Sequence, residues 1–261
     1  MFTYNDSVSV PSFIRGLSAD MDHCTVHSTP LHLTLFALVC ERLFGAAPRF
    51  ADIRALRGLS YDRVLGEICR IMNEVSGRPP VEAANFYDQW ERAAEKLLSG
   101  QYLVRPEFLN VSWIPGAELL VSRLGERFGS DHCGVNTVAP PVIVDIVSHA
   151  LPGFRGLSER RVTLPDYQTL SARKVDAAGW QLSATQMDVS AEAMMALEDH
   201  PDGALGALRA GYGLVVIRPK DPSDSSSIGD FEERLRRLAP NEADVYAERL
   251  AFVRHWDHVR V

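Results

Sequence analysis

After Trp113 short apolar runs alternate with amphipathic segments, and this alternation limits the possible folds more than any other feature of the chain. Residues 132–138, 193–197 and 214–217 are apolar runs of strand length. Between them lie segments with helical spacing. Pro115-Gly116 precedes Leu119, Leu120, Leu124 and Phe128, and Pro140 precedes Val142, Ile143, Ile146 and Val147. The small-residue stretch 204–210 stops at Gly211. Short apolar strands that alternate with helices predict a parallel sheet covered by helices on both faces. Residues 13–19 predict one more buried strand of that sheet. The tail predicts two further helical segments, around 231–238 and 242–259. The second spaces Val245, Phe252, Trp256 and Val259 along one side, a face for the core or for a second subunit.

From residue 50 to residue 100 the pattern is helical throughout. Val64, Leu65, Ile68, Ile71, Met72 and Val75 share one face, and Gly77 ends that helix. After Pro79-Pro80, Phe86, Tyr87, Trp90, Ala94, Leu97 and Leu98 share another, up to Gly100. No strand interrupts the block. It predicts an all-helical module inserted just after the first strand of an α/β core.

The bulk numbers narrow the function classes. The chain has 261 residues, 46% hydrophobic and 23% charged, enough for a sizeable core. A formal net charge of −7 argues against nucleic acid or an anionic membrane as the main partner. Cys24, Cys40, Cys69 and Cys133 form no C-x-x-C pair, so reduced thiols in a cytoplasm are expected. Residues 1–10 lack the basic start and apolar stretch of a signal peptide. No run has the length and apolarity to span a membrane.

Three acidic or hydroxyl signals fall at predicted strand ends. They are Asp20-x-Asp22, then Thr137 after Gly134-Val135-Asn136, then Glu198-Asp199. In an open α/β sheet the carboxyl edge of the strands is where ligands bind. One carboxylate there can attack an electrophile and hold a cation while its neighbour moves a proton. Such a set suits phosphoryl transfer through a carboxylate, with a cation to screen the nucleophile from the phosphate. Oxygen ligands select magnesium.

These residues resemble the haloacid dehalogenase superfamily, in its branch with an all-helical cap. The 20–32 segment, beginning Asp20-Met21-Asp22-His23-Cys24-Thr25, resembles the first motif. Leu56-Arg57-Gly58-Leu59-Ser60 resembles a cap segment, and Ile114-Pro115-Gly116-Ala117 the return to the core. Thr137-Val138-Ala139-Pro140 resembles the second motif, and Glu198-Asp199-His200-Pro201-Asp202-Gly203 the fourth. The resemblance implies a Rossmann-like α/β core over 1–30 and 112–261 and a helical cap over 31–111. It implies Asp20 as nucleophile, Asp22 as general acid and base, and Thr137 as phosphoryl ligand. Mg²⁺ would be held by Asp20, Asp22, Glu198 and Asp199. Substrate contacts are expected from His23, His27, His32 and Val138, and from Gly58 and Ser60 on the cap.

The sequence also departs from the family pattern. The third motif is a lysine ahead of Pro-x-Pro-Asp. The matching stretch here is Arg161-Val162-Thr163-Leu164-Pro165-Asp166, with Val162 in the lysine's place. Arg161, or Arg160, is expected to supply the charge, and Lys174 stands too far along the chain. His23 replaces a glycine, Cys24 a threonine and His27 an aspartate. Local hydrogen bonding is the favoured reading of these, ahead of a softer metal such as zinc or of a cysteine nucleophile. The expected activity is Mg²⁺-dependent hydrolysis of a small phosphate monoester by a monomer or homodimer. The alternatives are altered chemistry on the same fold (a mutase, lyase, cyclase or non-phosphate hydrolase) and a non-catalytic relative.

Overall fold

The computed structural model describes residues 2–55, 61–101, 110–222, 227–242 and 244–261. The strands are β1 (Val8–Ser9), β2 (Gly16–Ala19), β3 (Val26–His27), β4 (Ser112–Trp113), β5 (Cys133–Asn136), β6 (Arg161–Val162), β7 (Met194–Glu198), β8 (Leu214–Ile217), β9 (Leu250–Phe252) and β10 (Val259–Arg260). The helices are α1 (Thr29–Phe44), α2 (Phe50–Ala55), α3 (Tyr61–Val75), α4 (Ala83–Leu98), α5 (Ala117–Phe128), α6 (Pro141–Ala150), α7 (Arg155–Ser158), α8 (Leu164–Thr169), α9 (Ala177–Gln186), α10 (Pro201–Arg209) and α11 (Ser227–Leu238).

The chain forms two compact units. The first comprises Met1–His27, Ser112–Thr137 and Leu151–Val261, and the second Ser28–Val111 and Val138–Ala150. The first holds a six-stranded sheet in the order β6-β5-β2-β7-β8-β9, with every pair parallel. β2, β5, β7 and β8 are buried at every residue, as strands covered on both faces must be. Burying each large apolar side chain there contributes roughly 1.5–3 kcal/mol. Ser18 is the polar exception on β2, and its hydroxyl meets Ser183 Oγ at 2.9 Å. The second unit is helical, and α4 packs on α1, α3 and α6 within it. Phe86 and Trp90 of α4 are fully buried. Gly45 ends α1 in the left-handed conformation (φ 75°), which an L side chain adopts only at a cost.

Two expectations are corrected. The first strand is shorter than 13–19, because Phe13 is 54% exposed and pairing begins at Gly16. The 242–259 segment is not a helix. It contains a 3₁₀ turn (Ala247–Arg249), then β9, a second 3₁₀ turn (Trp256–His258) and the start of β10. β9 adds the sixth strand to the sheet, and β10 pairs with β1. Phe252, Trp256 and Val259 are buried within the chain, while Val245 is exposed. Trp256 Nε1 donates to the Cys24 carbonyl at 2.9 Å. The apolar spacing reflects three internal contacts, so it offers no continuous face to a second copy.

Candidate active site

Strand register assembles the site. Ala19 is level with Val135 of β5 and Leu197 of β7, so the chain leaves β2, β5 and β7 at one height. Asp20, Thr137 and the pair Glu198 and Asp199 therefore share one sheet edge. Asp20 donates its N–H to the Leu197 carbonyl, and Thr137 donates its own to Val162, both at 2.9 Å. All four side chains are buried.

The turn after β2 is tight. Val26 donates to Met21 and His23 donates to Val26, each at 2.9 Å, and Thr25 Oγ1 donates to the Asp20 carbonyl at 2.8 Å. His23 has φ 64°, a backbone conformation that favours glycine and that His23 meets with strain. Asp22 is half-buried in this turn. The rings of His23 and His27 meet edge-on at 6.2 Å. His27 is exposed, and His32 is half-buried on α1. Gly58 and Ser60 lie outside the described residues.

Arg161 lies on β6 level with Val135, while Lys174, which the sequence reading sets aside, stands against Asp20 and Glu198. Its ammonium contacts Asp20 Oδ1 and lies 2.8 Å from Glu198 Oε1. The cations acting most strongly on Asp20 are Lys174 and then Lys220. Val162 is a buried strand residue paired with Asn136, and Arg160 is bound to Asp131. Pro165-Asp166 is a helix start: Asp166 accepts the Thr163 N–H at 2.8 Å in a capping box that opens α8. Lys174 lies eight residues beyond Asp166. Trp180 Nε1 donates to the Lys174 carbonyl at 3.0 Å and fixes the backbone there. A Cβ on Gly206 would lie 2.1 Å from that carbonyl oxygen, so α10 can approach only as glycine.

Glu198 and Asp199 lie just ahead of α10. Glu198 Oε2 accepts the N–H groups of Asp199 (3.1 Å) and His200 (3.2 Å). A Cβ on Gly203 would sit 1.9 Å from Glu198 Oε1, so the helix begins directly against the carboxylate. His200 caps α10 through Nδ1, which accepts from the Asp202 N–H at 3.3 Å. Burial pushes its pKa down to about 4, which keeps the ring a neutral acceptor.

Burial raises the pKa of all three carboxyl groups. It pushes Glu198 up to about 8 and Asp199 to about 7, and raises Asp20 with Lys174 opposing. Burial also works against the charge of Lys174, but Asp20 and Glu198 outweigh it and hold the ammonium protonated. Cys24 is fully buried, and burial followed by the neighbouring acids keeps its thiol protonated, the opposite of an activated nucleophile.

The residues present fit a hard divalent cation. Oxygens of Asp20, Glu198 and Asp199 all lie within 4.8 Å of one another. Asp199 Oδ2 is buried without a hydrogen-bond partner among the described residues, and Lys220 Nζ stands 3.6 Å away. Crowded, desolvated carboxylates are what a cation relieves, and an all-oxygen donor set suits Mg²⁺ rather than zinc. Lys220, on the loop after β8, was not singled out from the sequence.

No family model matches the sequence, and no curated protein sequence does. Solved structures do match the fold. CbbY from Rhodobacter sphaeroides, in complex with phosphate, is 18% identical over 79% of this chain and 86% of its own, with a TM-score of 0.59. A HAD hydrolase of family IA, variant 3, from Entamoeba histolytica is 14% identical over 80% and 85%, at 0.57. The β-phosphoglucomutase of Clostridium difficile is 14% identical over 90% and 100%, at 0.54. The chain therefore has the haloacid dehalogenase-type fold of the helical-cap branch.

Proposed function

We propose that the chain is a Mg²⁺-dependent phosphohydrolase of a small phosphate monoester. The observation that carries this is Lys174 set against Asp20 and Glu198 at the carboxyl edge, with Asp199 beside them. Together these would supply a restrained carboxylate, a fixed positive charge and oxygen donors for a cation. A solved structure of similar fold holds phosphate, and another holds xylulose-(1,5)bisphosphate, which supports a small phosphate ester.

In this reading Asp20 attacks phosphorus through one carboxylate oxygen, and the P–O bond to the alcohol breaks. Asp22 gives its proton to the departing oxygen. Asp22 then takes a proton from water, which attacks the aspartyl phosphate and releases inorganic phosphate and free Asp20. Lys174 stabilises the charge on the transferring group, and Thr137 binds it through its hydroxyl. Asp20, Glu198 and Asp199, with the Asp22 carbonyl, would hold Mg²⁺. When bound, Mg²⁺ would screen the nucleophile from the phosphate.

The test is phosphate release from an aryl phosphate and a sugar-phosphate panel, with and without Mg²⁺, using Asp20→Asn as the control. Turnover that needs both the metal and Asp20 supports the reading. A folded, metal-binding protein that releases no phosphate from any of them overturns it.

A further inference from the structure

Arg218 follows β8 directly. Glu198 is level with Ile217 in the sheet, which sets Arg218 level with Asp199 on the carboxyl edge. Its N–H donates to the Glu198 carbonyl at 2.9 Å. The residue is only 9% exposed, and Nε has no hydrogen-bond partner among the described residues. A buried guanidinium nitrogen without a partner is costly, and such groups are normally satisfied. Cys24, Asp199 and Tyr4 all feel its charge. Two residues on, Lys220 Nζ faces Asp199 Oδ2 at 3.6 Å, beyond hydrogen-bond range, and its side chain is 49% exposed. Arg254 lies over the Tyr4 ring at 4.2 Å and donates to the Pro222 carbonyl at 3.0 Å, which braces the segment carrying Lys220. The aspartyl-phosphate steps use neither Arg218 nor Lys220.

We infer that Arg218 and Lys220 form a second anion-binding position beside the carboxylate cluster, and that the substrate is a phosphate ester carrying a second acidic group, either a carboxylate or a further phosphoryl group. The inference rests on the phosphohydrolase reading above. A planar guanidinium and an ammonium two residues apart suit such a group, the first by paired hydrogen bonds and the second as a point charge. Next to buried acids, the second anion would also draw Lys220 away from Asp199.

The test compares esters that differ only in the second acid. One pair is 3-phosphoglycerate and glycerol 3-phosphate. The other is fructose 1,6-bisphosphate and fructose 6-phosphate. The wild type should favour the acid-bearing member of at least one pair by about tenfold or more in kcat/KM. The favoured pair distinguishes carboxylate from phosphoryl. In Lys220→Gln and Arg218→Gln that ratio should fall by about threefold or more, through KM. Should Arg218→Gln fail to fold, Lys220→Gln decides alone, because its side chain is half exposed. No preference in either pair, or a preference unchanged by the substitutions, overturns the inference. If no ester is turned over, the phosphohydrolase reading falls by itself. Calorimetric binding of 3-phosphoglycerate and glycerol 3-phosphate to wild type and Lys220→Gln then decides the anion position: tighter binding of the acid that Lys220→Gln abolishes supports it, and equal binding overturns it.

Discussion

Lys174 Nζ lies 2.8 Å from Glu198 Oε1, and the same ammonium contacts Asp20, so one cation is shared between two buried carboxyl groups. Lys174→Met strands both acids in a site where burial already favours their protonated forms. Breaking such a pair costs about 3–5 kcal/mol, and loss of the charge opposite Asp20, the proposed nucleophile, is expected to lower kcat by about a hundredfold or more. The stability loss depends on pH. Lys174 lowers the pKa of Asp20 and Glu198, so without it their folded values rise further above the unfolded ones. Stability is then lost progressively as pH rises towards those higher values and is retained below the unfolded ones. Urea midpoints of variant and wild type should therefore converge near pH 4 and separate near pH 8. Lys174→Arg should not restore turnover, because a planar fork does not replace a compact point charge.

Gly203 and Gly229 make a matched pair. A Cβ on Gly203 would lie 1.9 Å from Glu198 Oε1, whereas one on Gly229 in α11 meets nothing within 4 Å. Gly203→Ala must push the carboxylate or the helix aside and is expected to cost about 1–3 kcal/mol. Gly229→Ala only gains helix propensity and should add roughly 0.5–1 kcal/mol. Equilibrium denaturation of the two variants checks the difference in sign. A Gly203→Ala protein as stable as wild type would show that Glu198 is not held as described.

The sheet was legible because its strands are short, apolar and separated by helix-spaced segments. β5, β7 and β8 fall within a residue or two of the runs seen in sequence. The acids Asp20, Glu198 and Asp199 were legible because each follows such a run. Lys174 was not, for a local reason. Pro165-Asp166 looks like part of the lysine motif, yet here it is the capping chemistry of α8, with Asp166 bound back to Thr163. The position of Lys174 against Asp20 depends on contacts 154 residues apart in the chain, which no local pattern encodes. The tail misled in the same way, since Phe252 and Trp256 are apolar for different neighbours rather than for one helix face. Lys220 and Arg218 follow an unremarkable strand and gain meaning only from its register with β7.

The four thiols should be inert in the folded protein. Cys24, Cys40, Cys69 and Cys133 are free and buried. Burial pushes Cys40 and Cys133 up to about 12 and raises Cys24 and Cys69 as well. A disulfide reagent at about pH 8 should titrate essentially none of them in native buffer and all four in denaturant. The sign for stability follows. The unfolded thiols lose their protons near pH 9 while the folded ones hold theirs, so stability falls as pH rises from about 9 towards 12. A thiol that reacts rapidly in the native protein would contradict the inert reading of Cys24 in the first motif.

Metal binding should depend on the carboxylates and not on the histidines. Asp20, Glu198 and Asp199 converge, while His27 is exposed and His32 lies on α1. At a hundredfold excess over its dissociation constant, a bound cation stabilises the fold by about 2.7 kcal/mol. For a chain of this size that is a rise in Tm of roughly 5–10 °C. Asp199→Asn should abolish the rise, and His27→Ala and His32→Ala should keep it. Asp199→Asn has a second expected effect of opposite sign. Asp20 raises the pKa of Asp199 within the metal-free site, so replacing Asp199 by a neutral amide should leave the metal-free Tm unchanged or higher. A structural defect would instead lower the metal-free Tm while weakening the metal response. Thermal melts with and without Mg²⁺ separate the two outcomes in a single experiment. Loss of the Mg²⁺ response in either histidine variant would move the metal site away from the three acids.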